Sequence, residues 1–121
     1  MNDALRRQQF EKQIQQIKLQ LLALGDMRPG SLSQQYNVCG KAGCRCKAPQ
    51  KPKRHGPYYQ LSYVHRGKST SQFIRPGMVQ IIKVQIAHYQ TFRKLTQQWV
   101  DLAVRLAKLR LATAKKNSDS N

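Results

Sequence analysis

Residues 38–61, VCGKAGCRCKAPQKPKRHGPYYQL, hold all three cysteines of the chain, Cys39, Cys44 and Cys46, and the histidine His55. The spacing is Cys-x4-Cys-x-Cys-x8-His. Three thiolates and one imidazole are a donor set for a closed tetrahedral zinc site, so Cys39, Cys44, Cys46 and His55 are the expected zinc ligands. Gly40 and Gly43 lie between the first two cysteines, where residues without a Cβ let the backbone turn tightly enough to aim several thiolates at one point. Lys41, Arg45 and Lys47 interleave the cysteines. Nearby cations lower thiol pKa values and favour the thiolates a metal needs. They would also offset the net negative charge of such a site.

The same residues admit other readings. They could be three reduced, partly buried thiols in a Gly-rich loop. They could form a disulfide with one thiol left over, although an odd cysteine count and the absence of an apolar signal core in MNDALRRQQFEKQ argue against a disulfide framework. A nucleophilic cysteine would need its histidine oriented by a third group. No Asp or Glu stands between Asp26 and Asp101, so that group would have to be Asp101 or an amide. Paired carboxylates and metal-ion nuclease chemistry are excluded from the central region for the same reason, and no enzymatic activity is expected.

Charge is the second strong signal. The chain has 121 residues, with 22 Lys and Arg against 5 Asp and Glu, a formal net charge of +17. The acid-free interval carries Arg28, Lys41, Arg45, Lys47, Lys51, Lys53, Arg54, Arg66, Lys68, Arg75, Lys83, Arg93 and Lys94. A surface that needed only solubility would mix signs. A field of one sign points to a polyanion, and nucleic acid is the expected partner. A membrane surface fits less well, because the cations gather in a loop and a hairpin rather than along an amphipathic helix. No stretch reaches the roughly 18 consecutive apolar residues of a membrane span. The expected location is cytoplasmic, and at the nucleoid if the target is DNA.

The elements that must position these groups can be read from periodicity. Residues 3–24 suggest a helix with Asp3 as N-cap and Gly25 at its end. Phe10, Ile14, Ile17, Leu21 and Leu24 recur at coiled-coil spacing. Ser31 to Tyr36 suggests one helical turn with Leu32 and Tyr36 facing the same way. Residues 48–54, APQKPKR, suggest an exposed, semi-extended arm. Tyr58–Val64 and Lys68–Ile74 suggest two strands joined at His65-Arg66-Gly67. From Pro76 to about Thr113 the pattern is helical, with Ile82, Ile86, Tyr89, Phe92, Leu95, Trp99, Leu102, Leu106 and Leu109 along one stripe.

The expected fold is α+β and mainly α. An N-terminal helix (1–26) and a long C-terminal helix (76–114) pack as an antiparallel coiled coil, around a central zinc-knuckle loop plus β-hairpin (27–75), with a disordered tail (115–121). The first helix is too short to cover the last, and the uncovered seam is expected to be shared with a second copy, giving a homodimer.

The run GSLSQQYNVCGKAGCRC followed by HGPYYQLSY resembles a small, largely uncharacterised family of bacterial proteins. Its members share a Cys-Gly-Lys-x-Gly-Cys-x-Cys core, then His-Gly-Pro-Tyr-Tyr, a short hairpin and a C-terminal helix. They are often encoded near mobile genetic elements. The resemblance covers roughly residues 28–111 and implies the grouping of Cys39, Cys44, Cys46 and His55, together with a nucleic-acid context. The strand–turn–strand–helix layout also resembles the arm domains of integrases, which place a sheet against DNA.

These readings lead to a small zinc-binding, nucleic-acid-binding protein, with duplex DNA favoured over RNA. Lys41, Arg45, Lys47, Lys51, Lys53, Arg54, Arg66, Lys68 and Arg75 are the expected phosphate contacts. Ser69, Thr70, Ser71 and Gln72 are placed to reach base edges. Tyr58 and Tyr63 are placed to stack on bases if the target is single-stranded. The alternatives are a coiled-coil adaptor for a recombinase or transposase, and an RNA-binding protein.

Overall fold

The structure is a computed structural model that describes residues 2–119. It contains helix α1 (Asp3–Leu22), strands β1 (Ser31–Asn37), β2 (His55–His65) and β3 (Lys68–Ile74), and helix α2 (Val79–Asp119). The chain divides into two compact units, residues 26–89 and residues 1–25 with 90–121.

The first unit contains a three-stranded antiparallel sheet in the order β1-β2-β3. Here the structure corrects the sequence reading: residues 31–36 form a strand rather than a helical turn. Leu32 and Tyr36 are four residues apart, which puts them on one side of either a helix or a strand. Pairing with β2 decides the matter, through Leu32↔Leu61 and Gln34↔Tyr59. The strand β2 is also longer than expected and begins at His55.

The two faces of the sheet differ. On one, Leu61 is completely buried and clusters with Ile82 and Ile86 of α2, flanked by Leu32, Tyr63 and Ile74. Burying one such side chain stabilises the fold by about 1.5–3 kcal/mol. The other face is uncharged and open. Gln60 sits at its centre, accepting from the Gln35 amide at 2.6 Å and donating to the Ser71 hydroxyl at 2.6 Å. Ser62 and Ser71 lie 3.2 Å apart. The exposed side chains Tyr58, Val64 and Phe73 border this network. At the start of α2, Pro76 lies in a short helical turn, Pro76–Met78, that leads into the helix. His88 donates from Nδ1 to the Asp26 carbonyl at 2.8 Å, which gives that histidine a structural partner.

In the second unit α1 runs antiparallel to the rest of α2. Asp3 lies 3.6 Å from Lys116, Glu11 2.8 Å from Arg110, and the Lys18 ammonium 5.3 Å from the Trp99 ring centre. The ion pairs are exposed and contribute little stability, but they fix the direction. The expected seam faces inward: Ile14, Ile17, Leu95 and Leu106 are buried. The N-cap is Asn2, whose Oδ1 accepts from the Ala4 N–H at 2.8 Å, and not Asp3, which occupies the first turn. The helix ends at Leu22 with Ala23 as its cap, ahead of Gly25. At the other end α2 continues to Asp119, beyond the expected boundary at 114, and residues 120–121 of the expected tail lie outside the described residues. Leu102, Leu106 and Leu109 are not among the exposed hydrophobic side chains. Large apolar side chains that are exposed on this part of α2 are instead Phe92, Val100, Val104 and Leu111.

Among the described residues no helix is long and apolar enough to cross a membrane.

Candidate metal centre

The strand that the sequence reading missed is what builds the site. Antiparallel pairing brings Asn37, at the end of β1, opposite His55, at the start of β2. Cys39 therefore leaves the sheet beside the histidine. The connection 38–54 is a long hairpin loop, and Cys44 and Cys46 lie within it around one helical turn, Arg45–Lys47. The Lys47 N–H donates to the Cys44 carbonyl at 2.9 Å. The Arg45 carbonyl accepts from both the Ala48 N–H at 3.3 Å and the Lys53 N–H at 3.0 Å, which folds the far arm of the loop back on the turn.

The ligand atoms of Cys39, Cys44, Cys46 and His55 all lie within 4.8 Å of one another. Cys39 Sγ and Cys46 Sγ are 3.5 Å apart, and Cys44 Sγ and His55 Nε2 are 3.3 Å apart. Ideal tetrahedral zinc bond lengths imply edges of about 3.8 Å between sulfurs and about 3.5 Å from sulfur to nitrogen. The four side chains therefore fit one tetrahedral ion. All three cysteines are free thiols, and Cys46 is 2% exposed.

The titration of Cys44 and Cys39 favours the thiolates a metal needs, while that of Cys46 runs the other way. The Cys46 backbone N–H, helped by the Cys46 and Cys39 side chains, brings the Cys44 thiol down to about 6. The Lys41 backbone N–H, followed by His55, lowers Cys39. Burial raises Cys46. Hydrogen bonding to Cys39 and then Cys44 raises His55. The Cys39 and Cys44 thiolates are thus favoured chiefly by backbone N–H groups that the loop turns inward, not by the interleaved cations expected from the sequence.

The glycines also sort differently from the sequence reading. Gly43 has φ +76°, a conformation that favours glycine, but Gly40 has open space around it and no such requirement. The glycine that shapes the site is Gly56, next to His55. Its φ is +137°, and a Cβ there would stand 2.8 Å from the Gln35 carbonyl oxygen and 3.1 Å from Tyr36 Cδ1.

The expected phosphate contacts do not form one patch. Lys41, Arg45, Lys47, Lys51, Lys53 and Arg54 are exposed on the loop. Arg45, Lys53 and Arg54 surround a cleft of about 640 Å³ with Pro52 and Tyr36. Arg66 and Lys68 stand at the far end of β2, about 30 Å away by strand rise. Arg75 follows β3. On the sheet, Ser69 and Ser71 share the open face, whereas Thr70 and Gln72 pair with Tyr63 and Leu61 on the opposite face. The two tyrosines are separated likewise: Tyr58 is on the open face, and Tyr63 carries the Arg28 guanidinium 5.3 Å from its ring centre. Tyr36, which no sequence signal marked, is the aromatic side chain that meets the loop cations.

A family described as a domain of unknown function (DUF6788) matches residues 7–81. The chain belongs to the DUF6788 family. The matched region runs from α1 through the sheet to the start of α2, so the whole candidate metal centre lies inside the DUF6788 domain. The resemblance seen in the sequence ran from about residue 28 to 111, later at both ends. No curated protein and no solved structure gives a significant match.

Proposed function

We propose that the protein binds one zinc ion through Cys39, Cys44, Cys46 and His55 and uses the loop so closed to hold nucleic acid. The observation that carries this reading is the coincidence of site and charge. The four candidate ligand atoms gather where a loop that carries six cations and no acid meets the start of β2. A polar loop of this length has too little apolar area to order itself, so metal binding would supply its folding free energy. Three thiolates with one imidazole favour zinc over harder cations. The ordered loop would then present Arg45, Lys53 and Arg54 to phosphates. The finer reading, duplex DNA of a mobile element lying against the open sheet face, rests on the family resemblance and the integrase-like layout. No catalysis is assigned.

Metal analysis of reduced, chelator-free protein is the first test, with about one zinc per chain expected and loss of the metal in Cys44→Ser. The second is a gel-shift series with duplex DNA, single strands and structured RNA at fixed salt, before and after chelation. Binding to none of them, or well below half a zinc per chain, would overturn the reading.

A second reading, helical docking, is favoured by the exposed Val100, Val104 and Leu111 of α2. These side chains recur at the spacing of a second coiled-coil seam, which suits a second copy of the chain or a recombinase-like partner.

A further inference from the structure

The cleft beside the metal centre has a composition that the proposed function does not use in full. One wall is the ring of Tyr36, 51% exposed. Its Cδ1 edge lies over Gly56, where a Cβ would come within 3.1 Å of it. Its hydroxyl accepts from Gln34 Nε2 at 3.2 Å, which steadies the ring from the strand side. The remaining lining is Arg45, Pro52, Lys53 and Arg54, around a volume of about 640 Å³. That is within the range of small-molecule sites. Arg45 stands between Cys44 and Cys46, and Arg54 precedes His55. The backbone bond from Lys53 to the Arg45 carbonyl ties the two arms together. The unit's only acid, Asp26, lines a different cavity with His88, so no carboxylate competes in the cleft.

Resting on the nucleic-acid reading, we propose that this cleft holds one unpaired nucleotide, with its phosphate among Arg45, Lys53 and Arg54 and its base against the Tyr36 ring. Guanidinium groups match phosphate oxygens in pairs. A single aromatic wall suits a base face, which is available only when the base is out of a duplex stack. An acidic peptide would use the cations and leave the ring idle. A blunt duplex held on the open sheet face would use neither Tyr36 nor the cleft. The chemistry is shared by single-stranded DNA, single-stranded RNA and the overhang of a duplex.

The test is fluorescence anisotropy on the zinc-loaded full chain. The probes are single-stranded DNA, single-stranded RNA, a duplex with a single-stranded overhang, the matching blunt duplex and a polyglutamate peptide. Tyr36→Ala is expected to weaken the probes with unpaired bases by about 5- to 150-fold, the range for loss of one stacked base. It should leave blunt duplex unchanged, and Tyr36→Phe should bind like the natural chain. Arg45→Gln or Arg54→Gln should each flatten the salt slope for single strands by about 0.7, whereas Arg66→Gln at the far end of the hairpin should not. Zinc content is measured for each variant. If Tyr36→Ala loses its zinc, ultraviolet cross-linking of the natural chain to single-stranded DNA decides, with Tyr36 as the expected cross-linked residue. The inference is overturned if Tyr36→Ala with zinc in place binds every probe normally, if it weakens blunt duplex equally, if cross-links map away from the cleft, or if polyglutamate competes as well as single strands. If the natural chain binds no nucleic acid at all, the underlying reading fails with it.

Discussion

Replacing Gly56 by Ala tests how the sheet sets the metal centre. Gly56 follows the candidate ligand His55 and adopts φ +137°, a region open in practice only to glycine. A Cβ there would meet the Gln35 carbonyl oxygen at 2.8 Å, the Tyr58 nitrogen at 3.2 Å and Tyr36 Cδ1 at 3.1 Å. Two of these are backbone atoms and cannot swing away. The pairing register already shifts between Gln35 and Asn37. Relief must therefore come from moving β1 away from His55, which also moves Cys39. Backbone strain of about 1–3 kcal/mol, together with about 1–3 kcal/mol for the forced shift, gives a destabilisation on the order of 2–6 kcal/mol. For a unit of this size that is a fall in Tm on the order of 10 °C or more. Gly40→Ala is the matched control inside the loop. It has no atom within 4 Å and no positive φ, and its stability should change by less than about 1 kcal/mol. Thermal unfolding and zinc content are read together for both variants. The reasoning is refuted if Gly56→Ala melts and loads zinc like the natural chain, or if Gly40→Ala is damaged as much.

Three further outcomes are expected. Zinc affinity, followed by competition with a chromophoric chelator from about pH 8 to about pH 5, should weaken as pH falls. Protons return to Cys44, whose thiol ionises at about 6, and to His55, whose pKa is raised, and each displaces a ligand. In the zinc-free fold the signs differ: Cys44 contributes stability that is lost as pH falls through about 6, while His55 contributes stability that is lost as pH rises through its raised value. Replacing Lys51, Lys53 and Arg54 by Ala should flatten the slope of log affinity against log salt on single-stranded DNA by up to about 2. Neutralising Arg6, Arg7 and Lys18 should not, since Lys18 is already engaged with Trp99; an equal effect would move the binding surface to the helices. Val100→Glu with Val104→Glu should abolish any self-association seen by light scattering, and a natural chain that is already monomeric would remove the case for a second copy.

The parts of this molecule that were legible in the sequence are those written in short-range chemistry. The gathering of three cysteines and a histidine was legible because cysteines are rare and Cys44 and Cys46 are two residues apart. The inward stripes of α1 and α2 were legible because many side chains repeat one period. What was not legible depends on partners far along the chain. Residues 31–36 have two apolar side chains four apart, a spacing that a helix and a strand satisfy equally. Only Leu61 and Tyr59, more than twenty residues later, choose the strand. The rest of the site follows from that choice. It is β1 that sets Cys39 beside His55, that forces Gly56 into its glycine-only conformation, and that turns Tyr36 toward Arg45, Lys53 and Arg54. The start of α2 makes a related point: its apolar residues Ile82 and Ile86 are covered by Leu61 of the sheet rather than by a helix. A prolonged apolar seam states that something must cover it, and non-local pairing decides what does.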